Sequence, residues 1–167
     1  MFRDLRRRRQ QLSGEACNAI LERGTSGVLA LLGDEGYPYA VPLSYVYGGG
    51  KLYFHSAREG HKLDALRRCG KASFCVIDRD QVVPREYTTY FRSVIAFGHV
   101  RVLEDEGEAR AAIELLARKY APEDGGEHRA AVIEREWGRV YMLEMTVEHL
   151  SGKEAIELVK GDGGTWA

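Results

Sequence analysis

Apolar and polar residues alternate in short runs through most of this chain, and the spacing changes to a helical one in only a few places. Ser13 to Arg23 predicts a first helix, with Ser13 as N-cap and Gly24 as its stop. Thr25 to Leu32 (TSGVLALL) predicts a strand closed by the turn residues Asp34, Glu35 and Gly36. Tyr37 to Tyr47 predicts a second strand, and Lys51 to Ser56 a third beyond the turn Gly48-Gly49-Gly50. Pro38 and Pro42 have no N–H to give to a ladder, so the second strand should lie at an edge or carry a bulge.

His61 to Cys69 predicts a short helix carrying Leu63 and Leu66 and ended by Gly70, followed by a buried strand from Lys71 to Ile77. Glu86 to Leu103 is a long β run in which Gly98 is a natural place to bend. Asp105 and Glu108 form a capping box. Ala109, Ala112, Ile113, Leu116, Ala117 and Tyr120 then recur at helical spacing until Pro122. His128 to Trp137 predicts another helix and Val140 to Leu150 a last, alternating strand. About six strands joined mostly by short turns, with helices grouped in two places, predict a mainly β fold: a closed antiparallel barrel with helices outside it.

Composition narrows the function classes. The 167 residues fit one domain, and 44% hydrophobic with 29% charged residues describes a soluble globular chain. A formal net charge of −1 gives no bulk attraction to nucleic acid or to an acidic membrane. Cys17, Cys69 and Cys75 have no metal-like or redox-motif spacing and read as free thiols in a reducing compartment. No apolar run follows the N-terminal arginines, so no signal peptide is expected, and a cytoplasmic protein is the default. Arg6 to Arg9 form a basic arm, without interleaved aromatics beyond Phe2, that reads as a loosely held tail over residues 1–12 or as a tail packing on a partner subunit.

The candidate chemistry is concentrated between Tyr37 and Lys62. Ser56-Ala57-Arg58-Glu59-Gly60-His61-Lys62 leaves a strand and opens a helix. First-turn N–H groups have no helical partner and carry the positive end of the dipole, so an anion can rest there. Lys62, Arg58 and His61 would add charge-assisted hydrogen bonds. Beside the proline-bearing strand, this suits a phosphorylated planar cofactor. Many such junctions bind nothing, however. Arg92, inside the apolar run FRSVIAF, is expensive to bury unpaired and must meet a carboxylate, an anionic ligand or solvent. His99, His128 and His149 are scattered and suggest no zinc site, and no Gly-x-Ser-x-Gly elbow is present. Trp137 reads as a cofactor cover or as a core or interface anchor.

The runs GYPYAVPLSYVY, LYFHSAREGHKLDAL, SFCVID, YFRSVIAFGHVRVL and HLSGKEAIELVK together resemble the pyridoxamine 5′-phosphate oxidase-like flavoproteins, within them the branch named for 5-nitroimidazole resistance. The resemblance implies a split β-barrel and a homodimer with FMN at the subunit interface. It implies that Val41, Pro42, Leu43 and Ser44 line the isoalloxazine edge through backbone atoms, and that Phe54, His55 and Ser56 follow the ribityl chain and phosphate. His61 and Lys62 match the phosphate grip, and Arg92 and Ser93 the strand that reaches FMN from the partner subunit. Pyridoxamine phosphate oxidases use an arginine-rich strand where this chain has YAVPLS, so oxidation of the vitamin is not expected.

By the same resemblance the expected activity is that of an FMN-dependent oxidoreductase. It would act as a nitroreductase on nitroimidazole-like or other small acceptors, with a nicotinamide donor. His55 is the side chain suited to donating a proton, or to a structural hydrogen bond. The alternatives are a haem-binding split barrel and a flavin-binding module without turnover.

Overall fold

The chain runs α1 (Gly14–Arg23), β1 (Ser26–Leu32), β2 (Pro38–Ser44), β3 (Val46–Gly48), β4 (Lys51–Ala57), α2 (His61–Arg68), β5 (Lys71–Val83), β6 (Thr88–Val102), α3 (Glu106–Tyr120), α4 (Gly126–Trp137), β7 (Val140–Glu154) and α5 (Ile156–Gly161). The computed structural model describes residues 2–161; Met1 and residues 162–167 of the single domain expected over 1–167 lie outside them.

The seven strands form one antiparallel sheet in the order β2-β1-β5-β6-β7-β4-β3. Its two edges, β2 and β3, are consecutive in the chain with only Tyr45 between them. A sheet whose opposite edges share a one-residue joint must curl until those edges meet. The barrel is nevertheless not closed, which corrects the expectation from strand alternation: among the described residues no ladder joins β2 to β3. Pro38 and Pro42 explain one side of the seam, since they lie on the edge strand where a missing N–H costs no ladder bond. The other side, β3, is only three residues long.

The single strand expected over 37–47 breaks at Tyr45 because tertiary packing claims that residue. Its side chain is fully buried, and its N–H donates to Tyr120 Oη at the end of α3 (2.9 Å) instead of to a strand. The strand expected to end at Ile77 continues to Val83. Beyond a bulge between Ile77 and Arg79 it pairs with β6 as far as Val83 opposite Thr88. Gly98 does mark a bend. The β6–β7 register shifts between Phe97 and Gly98, and a Cβ at Gly98 would collide with the Thr146 carbonyl.

Alternation sorts the strands into two faces. Leu29, Phe54, Phe74, Val94 and Leu143 point into the barrel and are fully buried, with the Phe54 and Phe74 rings 5.0 Å apart. Each such side chain contributes about 1.5–3 kcal/mol on leaving water. On the outer face of β4 and β7, a smaller core gathers Met142 and Tyr53 under Ala109, Ala112 and Leu116 of α3, with Trp137 at its margin. The caps read from the sequence are formed: Ser13 Oγ accepts from Ala16 N (3.1 Å) and Asp105 Oδ1 from Glu108 N (2.9 Å).

Among the described residues, no helix or strand packs over the outer row that crosses β2, β1, β5 and β6, although the Phe2 ring lies 5.4 Å from the Phe97 ring farther along β6. The cross-strand row Pro42, Val28, Cys75, Ile95 carries no charge, and Ile77 beside it is 68% exposed. The basic arm, expected to be loosely held, runs along β7. Gln11 bridges Lys153, Leu12 N donates to Gly152 O (3.0 Å), and Phe2 stacks on His149.

Candidate functional site

The site is built where the free edge of β2, the end of β4 and the first turn of α2 converge. On β2 the side chains alternate: Val41 and Leu43 pack against the barrel core, whereas Pro42 and Ser44 face outward and are exposed. On β4, Phe54 and Ser56 point inward and are buried, and His55 points out. Phe54 is thus a core residue that can offer a ligand only its backbone.

Helix α2 begins without a side-chain cap. Gly60, at φ 117°, supplies the turn, and its carbonyl accepts from Leu63 N (2.9 Å) and Asp64 N (3.2 Å). The N–H groups of His61 and Lys62 precede Leu63 N, the first donor of the helix, so they remain available to an anion. His61 is held from the side: its ring stacks on Tyr39 at 4.0 Å, and Nε2 lies 3.5 Å from Asp34, which also pairs with Arg68 (2.6 Å). Tyr39, Asp34 and Arg68 carry no motif; only the inward alternation of β2 hints that Tyr39 meets the helix.

Lys62 differs from its neighbours. It is partly buried, forms no ion pair among the described residues, and has its pKa pushed down by desolvation. Its ammonium is therefore a cation with an unmet demand. The same crowding, and secondarily the Lys62 charge, hold the His55 imidazole below its ordinary value, so His55 is neutral at pH 7 although its side chain reaches solvent. Arg58, by contrast, is engaged: it points at the Trp137 and Val140 carbonyls and stands 4.9 Å over the Tyr141 ring.

Arg92 and Ser93 are not part of this cluster within one chain. Arg92 pairs across β7 with Glu154, whereas His55 pairs across the same strand with Met142. Twelve residues of β7 separate those partners, about 40 Å of extended chain. Arg92 has carboxylates of its own: Nη2 is 2.8 Å from Glu154 and Nη1 3.6 Å from Asp78. Ser93 lies on the other face, opposite Ile77 and Lys153.

A desolvated cation and open helix N–H groups beside a donor-poor sheet edge fit a phosphorylated cofactor. Residues 13–154 match the pyridoxamine 5′-phosphate oxidase family. The chain belongs to that family. No curated protein sequence matches it. Among solved structures it is similar to a candidate 5-nitroimidazole antibiotic resistance protein from Bacteroides thetaiotaomicron, at 24% identity over 86% of each chain with a TM-score of 0.71. It is also similar to a FAD and haem binding protein from Mycobacterium smegmatis, at 22% identity over 93% of this chain and 81% of that one, TM-score 0.72. A conserved protein from Mycobacterium tuberculosis shares 16% identity over 98% and 97% of the two chains, TM-score 0.79. At these identities the shared property is the fold, and the split barrel expected from the sequence is the fold of the family.

Proposed function

We propose that this family member is a homodimeric, cytoplasmic FMN-dependent oxidoreductase that reduces nitroimidazole-like or other small acceptors with electrons from a nicotinamide donor. The observation that carries this reading is Lys62: a partly desolvated ammonium without a carboxylate, beside the free N–H groups of α2 and the edge of β2. A flavin phosphate supplies the missing counter-charge. FMN, when bound, supplies the hydride-accepting and electron-donating chemistry.

The chain's own residues bind and orient. The backbone of Val41 to Ser44 offers an edge to a flat ring, and Lys62 with the His61 and Lys62 N–H groups fixes the phosphate. His55, neutral at pH 7, holds a hydrogen bond through its imidazole and can relay a proton to an acceptor bound over the ring. The uncharged outer row from Pro42 to Ile95, with Ile77 exposed beside it, is the face a second copy would cover. Ser93, on that outer face, is the β6 residue open to a cofactor held by the second copy; Arg92 is already matched by two carboxylates. The similarity to a candidate nitroimidazole resistance protein favours a nitro acceptor, and the cation-free YAVPLS strand disfavours the vitamin.

The similarity to a protein that binds both FAD and haem supports a second reading, in which His55 or His61 ligates a haem. The visible spectrum of the purified protein separates the two. A two-banded flavin spectrum that bleaches anaerobically with a nicotinamide donor and recovers with a nitroimidazole supports the first reading. A sharp Soret band, or a colourless protein that does not quench added FMN, overturns it.

A further inference from the structure

A cleft of about 480 Å³ lies between α2, α4 and the outer face of β7, and the flavin reading makes no use of it. Its floor is apolar, formed by Leu63, Leu103 and Met142, and its wall is aromatic, formed by Trp137 and Tyr141. Arg58 and Arg67 enter from the α2 side and Glu104 from the end of β6. The volume is that of a small-molecule site, and an apolar floor with few convergent polar groups is the usual makeup of one.

We propose that this cleft binds an adenosine monophosphate group. A purine needs a flat partner of π or guanidinium planes; the cleft offers two guanidinium–aromatic pairs, Arg58 4.9 Å over Tyr141 and Arg110 4.4 Å over Trp137, on which a purine would stack. The Arg58 guanidinium is already oriented by the Trp137 and Val140 carbonyls, so little freedom is lost on binding. A phosphate needs a mobile cation. Arg67 qualifies, because its one ion-pair partner among the described residues, Asp64 at 3.1 Å, is an exposed neighbour on the same helix turn. Ribose hydroxyls need an acceptor, and Glu104 forms no ion pair among the described residues, whereas Glu106 nearby is taken by Arg110.

Register places the cleft next to the site already described. Ala57 pairs with Val140 and His55 with Met142, and both partners line the cleft. Leu63 directly follows the open N–H groups of His61 and Lys62, and Arg67 lies one turn beyond Leu63. A ligand anchored at Lys62 therefore continues around the Arg58–Gly60 loop into it. The adenylate belongs either to a dinucleotide form of the flavin or to the nicotinamide donor; only this threading rests on the flavin reading.

The test is calorimetric titration of the purified protein with AMP, in the wild type and in the surface variants Arg67→Ala and Glu104→Gln. Saturable binding that Arg67→Ala weakens about tenfold, with FMN affinity unchanged, supports the inference. No saturable heat at millimolar AMP, or AMP binding indifferent to both substitutions, overturns it. FAD binding about tenfold tighter than FMN assigns the adenylate to the flavin. Equal flavin affinities, with AMP competing against the nicotinamide donor on FMN-loaded protein, assign it to the donor. Protein that binds AMP but no flavin keeps the cleft and loses the flavin reading; protein that binds FMN but no AMP does the reverse.

Discussion

Arg92 stands directly across the β6–β7 ladder from Glu154, and the two side chains meet at 2.8 Å at the rim of the barrel. Glu154 is a buried charged residue and Arg92 is 27% exposed, so the pair keeps the carboxylate matched while the guanidinium still touches water. The pair is a structural device on the strand that the resemblance assigns to cofactor binding.

Arg92→Ala should therefore lower the unfolding free energy by about 2 kcal/mol, because it strands the buried Glu154 carboxylate, whereas Asp78 keeps Arg23 at 2.6 Å. Urea denaturation measures this. A variant of unchanged stability with weakened FMN binding would instead favour the cofactor contact expected for Arg92.

Lys62→Ala has the opposite profile. Removing an unpaired, desolvated ammonium should leave the flavin-free protein at least as stable, while FMN binding weakens by about 1.5–3 kcal/mol. Between the depressed pKa of Lys62 and its ordinary value, the unfolded chain holds a proton that the folded chain does not. Stability of the flavin-free protein thus rises with pH through that window, and the rise disappears in the variant. Flavin titrations and alkaline melts together check both halves.

His55 follows the same sign at lower pH. Its folded pKa lies below the ordinary histidine value, so the folded state disfavours the imidazolium, and stability increases as pH climbs through the window up to that value. His55→Gln should flatten this slope. Melting curves across mildly acidic pH test it, and an unchanged slope would place His55 outside the crowded environment around Lys62.

Tyr45 and Gly24 form a steric pair. The buried Tyr45 hydroxyl has no hydrogen-bond partner among the described residues, so Tyr45→Phe should change stability by less than about 1 kcal/mol. A Cβ at Gly24 would press on that hydroxyl and on the Ile20 carbonyl, so Gly24→Ala should cost about 2 kcal/mol. The double variant should recover part of the loss, as a thermodynamic cycle of denaturation midpoints would reveal.

Local signals were legible where local physics decides the outcome. The caps at Ser13 and Asp105, the edge position of the proline strand and the bend at Gly98 all follow from backbone chemistry written in those residues. The break at Tyr45 was hidden, because a hydroxyl on Tyr120, seventy-five residues away, claims its N–H. The open seam was likewise invisible, since alternation fixes which face a side chain takes and not which strand lies beside it. For the site, the helix start at His61 and Lys62 could be read. The inward turn of Phe54 could have been, since it shares the parity of Leu52. The carboxylates around Arg92 could not, because Glu154 comes from a distant part of the chain and Asp78 is brought beside Arg92 by the bulge between Ile77 and Arg79.

The one-residue joint at Tyr45 also dictates the order in which the molecule can assemble. The hairpins β1–β2 and β3–β4 are neighbours in the chain, yet they end up flanking a gap that only β5, β6 and β7 can fill. The β1–β2 hairpin can dock on β5 as soon as that strand emerges, but β4 pairs only with β7 and β3, so the β3–β4 hairpin must wait with one flank unpaired until residues 140–154 have been synthesised. Long-range pairing of this kind makes folding slow.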